Sequence, residues 1–296
     1  MTAAFRPPAV AGAFYPRDPA ELARAIEDCF RDGRRGPGRL PPRGARRAPR
    51  PRALIVPHAG FVYSGPIAAL AYYRVGAAPP PSSVLMLGVD HHGRGGFALS
   101  RRPWVTPLGP VAVDRELVDR LAIEPITIDE AAHDAEHSIE VELPFLQYVV
   151  PAPKIAALQV TFASYEELER VADAVRTALA DPDLLLIASS DFSHYVSVDT
   201  AERLDALALA AIRSRNARAL YEVVRRERIS MCGIAPVTVL LAALRDEPLT
   251  VEILRWGHSA EAEPMDRVVG YAAVTLDRGR LPSARGGGPP AEPAVI

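Results

Sequence analysis

The chain of 296 residues carries 34 basic and 36 acidic side chains, a formal charge near −2, which gives neither nucleic acid nor an anionic membrane a reason to bind it. With 49% apolar and 24% charged residues, it has the composition of a globular protein able to bury a large core. No apolar stretch reaches the roughly 18–20 residues of a membrane-spanning helix. "MTAAFRPPAVAGAFYP" lacks the apolar run of a secretion signal. Cys29 and Cys232 make no disulfide framework, so a reducing cytoplasm is the expected compartment.

In chain order, "DPAELARAIEDCF" has helical spacing, with Asp18 as N-cap, Pro19 at the first helical position and Leu22, Ile26, Cys29 and Phe30 on the buried face. Cys29 is thus expected to be a core thiol. Residues 33–52 hold eight arginines and no acid. With no interleaved aromatic for base stacking, the segment reads as a flexible surface loop rather than an RNA-binding arm. Strands are expected at 53–57, 83–89, 154–160, 183–189, 250–255 and 268–276, and helices at 65–74, 114–122, 138–149, 165–180, 200–214, 216–228 and 234–245. Repeated strand–helix alternation predicts an α/β fold, a mainly parallel central sheet with helices on both faces, with the last two strands as an antiparallel edge. One domain over 1–278 and a disordered tail over 279–296 are expected.

Three of the aliphatic runs end in histidine-bearing loops: "ALIVPHAG", "VLMLGVDHHG" and "LLLIASSDFSH". In an open α/β sheet the ligand crevice lies beyond the carboxyl ends of the strands, so His58, one of His91 and His92, and His194 should converge there. Only one of the adjacent pair can face the crevice, the other being a supporting or surface residue. Asp90 reads either as a partner fixing a ring tautomer or as part of a polar turn. Ser189, Ser190 or Ser193 is expected to cap the next helix, a task that does not call for His194.

In "HDAEHSIEVELPFLQ", His133 and Glu136 read as a solvated acidic turn at a helix start, while His137 is open to either a structural or a functional role. Cys232, followed by Gly233 and a helical run, is either a thiolate favoured by a helix N-terminus or a buried, inert thiol. No dinucleotide fingerprint, phosphate loop, nucleophile elbow, H-E-x-x-H or paired C-x-x-C is present.

Taken together, "PAVAGAFYP", "PHAGFVYSG", "DHHG", "EHSIEVELPF", "SSDFSHY" and the Cys232–Gly233 and Pro236–Val237 pairs closely resemble the Memo family, whose bacterial and archaeal members are also called AmmeMemoRadiSam system protein B. The matches run from about Pro8 to Leu276, and the unusual feature here is the length of the basic loop. The resemblance implies a fold similar to class III extradiol dioxygenases, in which two histidines and a carboxylate hold non-haem iron. Carried over, the metal ligands are His58, His91 and Cys232, the cysteine replacing the carboxylate. His194 falls where those enzymes keep a catalytic acid/base, and His137 is a further pocket residue.

Three functions follow as expectations. The first is a cytoplasmic protein with a dioxygenase-like pocket for iron or copper and a redox role, thiolate favouring softer ions. The second is a zinc-dependent hydrolase using the same ligands, with His194 or Asp191 as base. The third is a non-catalytic module that grips a small molecule, a peptide or a partner, such as the radical-SAM protein that the family's composite name suggests.

Overall fold

The computed structural model describes residues 5–42, 47–93 and 96–279. Residues 43–46 of the basic segment and 280–296 of the expected tail lie outside them. The chain opens with α1 (Pro19–Arg31), β1 (Ala53–Val56), α2 (Phe61–Gly76) and β2 (Val84–Val89). A stretch of short elements follows: β3 (Phe97–Leu99), β4 (Trp104–Thr106), β5 (Gly109–Val113), α3 (Arg115–Leu121), β6 (Ile126–Ile128), α4 (Glu130–His133) and α5 (Leu143–Val149). Then come β7 (Lys154–Val160), α6 (Tyr165–Ala178), β8 (Leu185–Ser189), β9 (His194–Val196), α7 (Val198–Arg213), α8 (Ala217–Arg226), α9 (Ile234–Ala243), β10 (Leu249–His258) and β11 (Val268–Arg278).

The main sheet runs β10-β11-β1-β8-β2-β7-β3-β6. Its centre, β1-β8-β2-β7, is parallel, and β10 and β11 form the antiparallel edge that the sequence predicts. Beyond the centre the sheet is mixed: β5 runs parallel to β7, β3 antiparallel to it, and β6 parallel to β3. Central strands buried on both faces need aliphatic residues at every position. In β1, Ala53 and Ile55 join the core under α3, α6, α7, α8 and α9, while Leu54 and Val56 join the core under α1, α2 and α5.

This order places the site. β8 lies between β1 and β2 and parallel to both, so the loops after Val56, Ser189 and Val89 leave the same sheet edge side by side. No helix among the described residues is long and apolar enough to cross a membrane.

Three local expectations are corrected. Helix α2 begins at Phe61, not 65, and holds Pro66 in its second turn. A proline there removes the N–H owed to the carbonyl four residues back; that carbonyl, on Val62, takes a hydrogen bond from Arg35 instead, at 2.9 Å. The helix expected from 138 starts at Leu143 after a 3₁₀ turn over Glu140–Glu142, because the preceding backbone N–H groups of His137 and Ser138 bond the Glu136 carboxylate. None of Ser189, Ser190 and Ser193 caps α7; Ser197 does, accepting from Thr200 N.

His133 is not solvated either. It is fully buried against Trp104, its Nε2 donating to Ala98 O at 3.0 Å and its Nδ1 without a partner among the described residues. Burial pushes its pKa down from 6.5 to about 4. Between those values the unfolded chain takes up a proton that the native ring refuses, so the contribution is intact above 6.5 and lost as pH falls towards 4. Denaturant titrations from pH 7 to 4 should show His133→Gln lessening the acid slope by about 1.4 kcal/mol per pH unit. An unchanged slope would contradict this.

Candidate metal centre

His58 follows β1 and is buried, at 2% exposure. Its backbone N–H donates to Asp191 Oδ1 at 2.9 Å, which ties the loop after β1 to the loop after β8. Its Nδ1 lies 2.8 Å from Ser189 Oγ, and Ser189 gives its one hydroxyl proton to Ser138 O at 2.7 Å. With that proton committed, the hydroxyl can only accept from the ring, so Nδ1 carries the hydrogen and Nε2 keeps its lone pair.

His91 follows β2. Its Nδ1 lies 2.9 Å from Glu136 Oε1, and its backbone N–H donates to Glu136 Oε2 at 2.9 Å. The same carboxylate accepts from His137 N at 2.8 Å and Ser138 N at 2.9 Å. These donors hold it well below the usual carboxylate range despite its burial, with the His91 ring foremost among them. An ionised carboxylate only accepts, so His91 also carries its proton on Nδ1 and offers Nε2. The expectation of a solvated turn at Glu136 is overturned: it is 1% exposed. It fills the tautomer-fixing place that the sequence offered to Asp90.

Cys232 sits between α8 and α9, its sulfur 3.3 Å from His58 Nε2 and 3.2 Å from Asp191 N, which donates to it. Gly233 makes this approach possible: a Cβ there would lie 2.2 Å from Ser190 Cβ and 2.6 Å from Ser189 O. Gly233→Ala should therefore push Cys232 off the end of β8, lowering stability by about 1–3 kcal/mol and weakening any ion held by the sulfur; an alanine variant matching the parent in both measurements would contradict this.

The ligand atoms of His58, His91 and Cys232 all lie within 4.8 Å of one another. His91, Glu136 and His137 form a second such group, but Glu136 is already saturated with N–H donors, which leaves the first as the better cation site. Burial pushes the Cys232 thiol well above its ordinary range, with the Asp191 charge adding to the effect, and burial drives the His58 pKa well down. The helix-terminus argument for a thiolate thus fails by itself. A thiol so placed ionises when a cation sits beside it, and the neutral imidazoles are already in the form that ligates. The donor set fits a soft or borderline ion.

His137 stacks on His91, with ring centroids 4.5 Å apart, lies 5.4 Å from the His58 ring and touches Phe14 at 4.8 Å. Burial pushes its pKa down to about 4. His194 opens β9, paired with Val269 of β11. Its Nδ1 donates to Phe192 O at 2.7 Å and Ser230 O at 2.8 Å, leaving Nε2 as an acceptor. It is close enough to affect the titration of Asp191, which burial raises to about 6, and of His58. His92 turns outward and donates from Nε2 to Ala135 O at 3.0 Å.

A cleft of about 780 Å³ lies between residues 12–18, α1 and the start of α2; it shares Phe14 with this centre but none of the three grouped ligands.

The residues that sequence reasoning missed are Glu136, Ser189 as a ring acceptor, and the pair that fixes the Glu136 loop. That pair is Arg6 and Glu140, both fully buried and ion-paired. Arg6 also donates to His133 O, at 3.0 Å, and to Glu136 O. The only available signal was the concentration of acids in "EHSIEVE".

The sequence profile described as Memo-like protein matches residues 6–275. A MEMO1 family protein of Methanothermobacter thermautotrophicus is 39% identical over 278 residues, covering 91% of this chain and 99% of the relative. One from Saccharolobus solfataricus is 38% identical over 279 residues, covering 91% and 98%. The match extends through the loops that carry His58, His91, Glu136, His194 and Cys232, and the chain belongs to the Memo family.

Proposed function

We propose that this is a cytoplasmic metal-binding protein in which His58 Nε2, His91 Nε2 and the Cys232 thiolate hold one iron or copper ion in a dioxygenase-like pocket. The observation that carries this reading is the pair of fixed tautomers, which leaves two imidazole lone pairs available beside one sulfur. The bound ion would supply a redox-active, Lewis-acidic centre with positions open to a small molecule. The chain's own groups then divide the work. Ser189 and Glu136 hold the two ligand rings in register. His194, its Nδ1–H tied to two carbonyls, offers Nε2 as proton acceptor and returns the proton as general acid. His137 stays neutral at physiological pH and packs over His91.

Asp191 favours a second reading, zinc-dependent hydrolysis. Its carboxylate accepts from the backbone N–H of His58 and so stands among the ligands, where a general base is needed, and three ligands leave one tetrahedral position for water.

Oxygen uptake separates the two. Protein loaded anaerobically with Fe(II) or Cu(I) should consume O₂ with a reducing substrate, and His194→Gln should slow uptake by about 10²-fold or more with its metal content unchanged. Ester or amide hydrolysis with Zn(II), indifferent to oxygen, would replace the redox reading with the hydrolytic one.

A further inference from the structure

We infer that Asp205, an acid enclosed in the middle of α7, is the positioning residue for His194: it grips Ser193 by backbone and side chain, and so holds the Phe192 carbonyl where the His194 ring donates to it. The inference rests on the reading of His194 as the acid/base of this centre.

Asp205 is fully buried and lies on the apolar face of α7, with Ala201, Leu204, Ala208 and Ile212. An acid there works against the fold unless its oxygens are well used. Among the described residues no cation stands within ion-pair distance of it. Instead Oδ1 accepts from Ser193 N at 3.0 Å and from the Ser193 hydroxyl, and Oδ2 accepts from Trp256 Nε1 of β10 at 2.9 Å. Gly270 of β11 leaves the room for it: a Cβ at 270 would lie 2.0 Å from Oδ2. The Gly270 backbone closes the clamp from the other side, accepting from Phe192 N and donating to Ser193 O, both at 2.8 Å. The N–H, hydroxyl and carbonyl of Ser193 are thereby all engaged.

The clamp acts on a strained stretch of chain. Tyr195 has φ +57°, a left-handed conformation that side chains disfavour. It is also an extra residue in β9: Val196 pairs with Val268 and His194 with Val269, and Tyr195 bulges between them. Strain of this kind lasts only where the surroundings over-determine it. His194 sits between clamp and bulge, its backbone N–H donating to Ser230 Oγ at 2.7 Å and its ring to Phe192 O and Ser230 O. With Ser193 freed, the peptide before it can turn, the ring loses Phe192 O, and nothing confines its proton to Nδ1. Two of the three hydrogen bonds of Asp205 end on the residue before His194, which the packing of α7 does not require.

The test uses the full chain, metal-free and well above the titration range of histidine, with ¹⁵N spectra of the imidazole rings. Wild type should show His194 as the Nδ1–H tautomer, and Asp205→Ala a mixture with the Nε2–H form. Asp205→Asn keeps an oxygen for Ser193 and should retain the wild-type pattern. So should Trp256→Phe, which strips the same carboxylate of a donor without touching Ser193. If the alanine variant does not fold, Ser193→Ala carries the test, with a smaller shift in the same direction. Wild-type His194 signals in the alanine variant that is read, or an equal shift in Trp256→Phe, would overturn the inference. In metal-loaded protein, Asp205→Ala should slow oxygen uptake by about 10²-fold and add nothing to His194→Gln; a further loss in the double variant would also overturn it, since Asp205 would then act elsewhere. Wild-type uptake in His194→Gln would instead overturn the acid/base reading and leave the clamp standing.

Discussion

Replacing Arg6 with alanine is expected to destabilise the protein by about 3–5 kcal/mol, because it strands a fully buried carboxylate. Arg6 is the sole cation paired with Glu140 among the described residues. Its guanidinium also lies 4.2 Å over the Trp104 ring and donates to the carbonyls of His133 and Glu136. Glu140 in turn fastens the amino-terminal segment through Ala9 N at 2.7 Å, Val10 N at 2.9 Å and the Tyr15 hydroxyl at 2.6 Å. With every strong donor and acceptor engaged, the pair tolerates its burial; with one partner gone, it does not. The melting temperature should fall by roughly 10 °C, and the loop carrying Glu136 and His137 should loosen with it. Arg6→Met combined with Glu140→Leu should recover only part of the loss: it removes the stranded charge but leaves Ala9 N, Val10 N and the Tyr15 hydroxyl without their acceptor. A single variant within about 1 kcal/mol of wild type would contradict the fastening role of the pair.

Glu136→Gln should weaken metal binding by about 10- to 100-fold while the three proposed ligands remain in place. Gln offers one acceptor oxygen where Glu136 uses two, and its amide nitrogen would face a donor, either the His91 backbone N–H or the cluster of His91 ring, His137 N and Ser138 N. Loss of the charge-assisted bonds should also lower stability by about 1.5–3 kcal/mol. Competition of Zn(II) against a chromophoric chelator, alongside denaturant unfolding, measures both effects. Wild-type affinity in the Gln variant would remove Glu136 from the account of how His91 is oriented.

The parts of this protein legible in its sequence were those in which one physical constraint acts on consecutive residues. A parallel strand buried on both faces needs aliphatic side chains throughout, so β1, β2 and β8 stand out, and the loops beyond them hold His58, His91 and His194. The sheet order, which brings the first two together across β8, follows from crossover connections that no local run records. β3, β4 and β6 have three residues each, too few for alternation to be seen. Other residues are hidden in the sequence for another reason. Glu136 meets its ring partner 45 positions away, and Arg6 meets Glu140 across 134. An acid in a polar turn and a single arginine near the amino terminus look like surface residues until the fold encloses them. The helix signals around Cys232 were read correctly as local structure, but burial outweighs the helix terminus in setting its thiol.

Metal content decides the central claim. Protein purified without oxygen should carry close to one iron or copper ion per chain, and the His58→Ala, His91→Ala double variant should carry none while still unfolding in one cooperative transition. Equal metal content in the two proteins would contradict the assignment of these imidazoles as ligands.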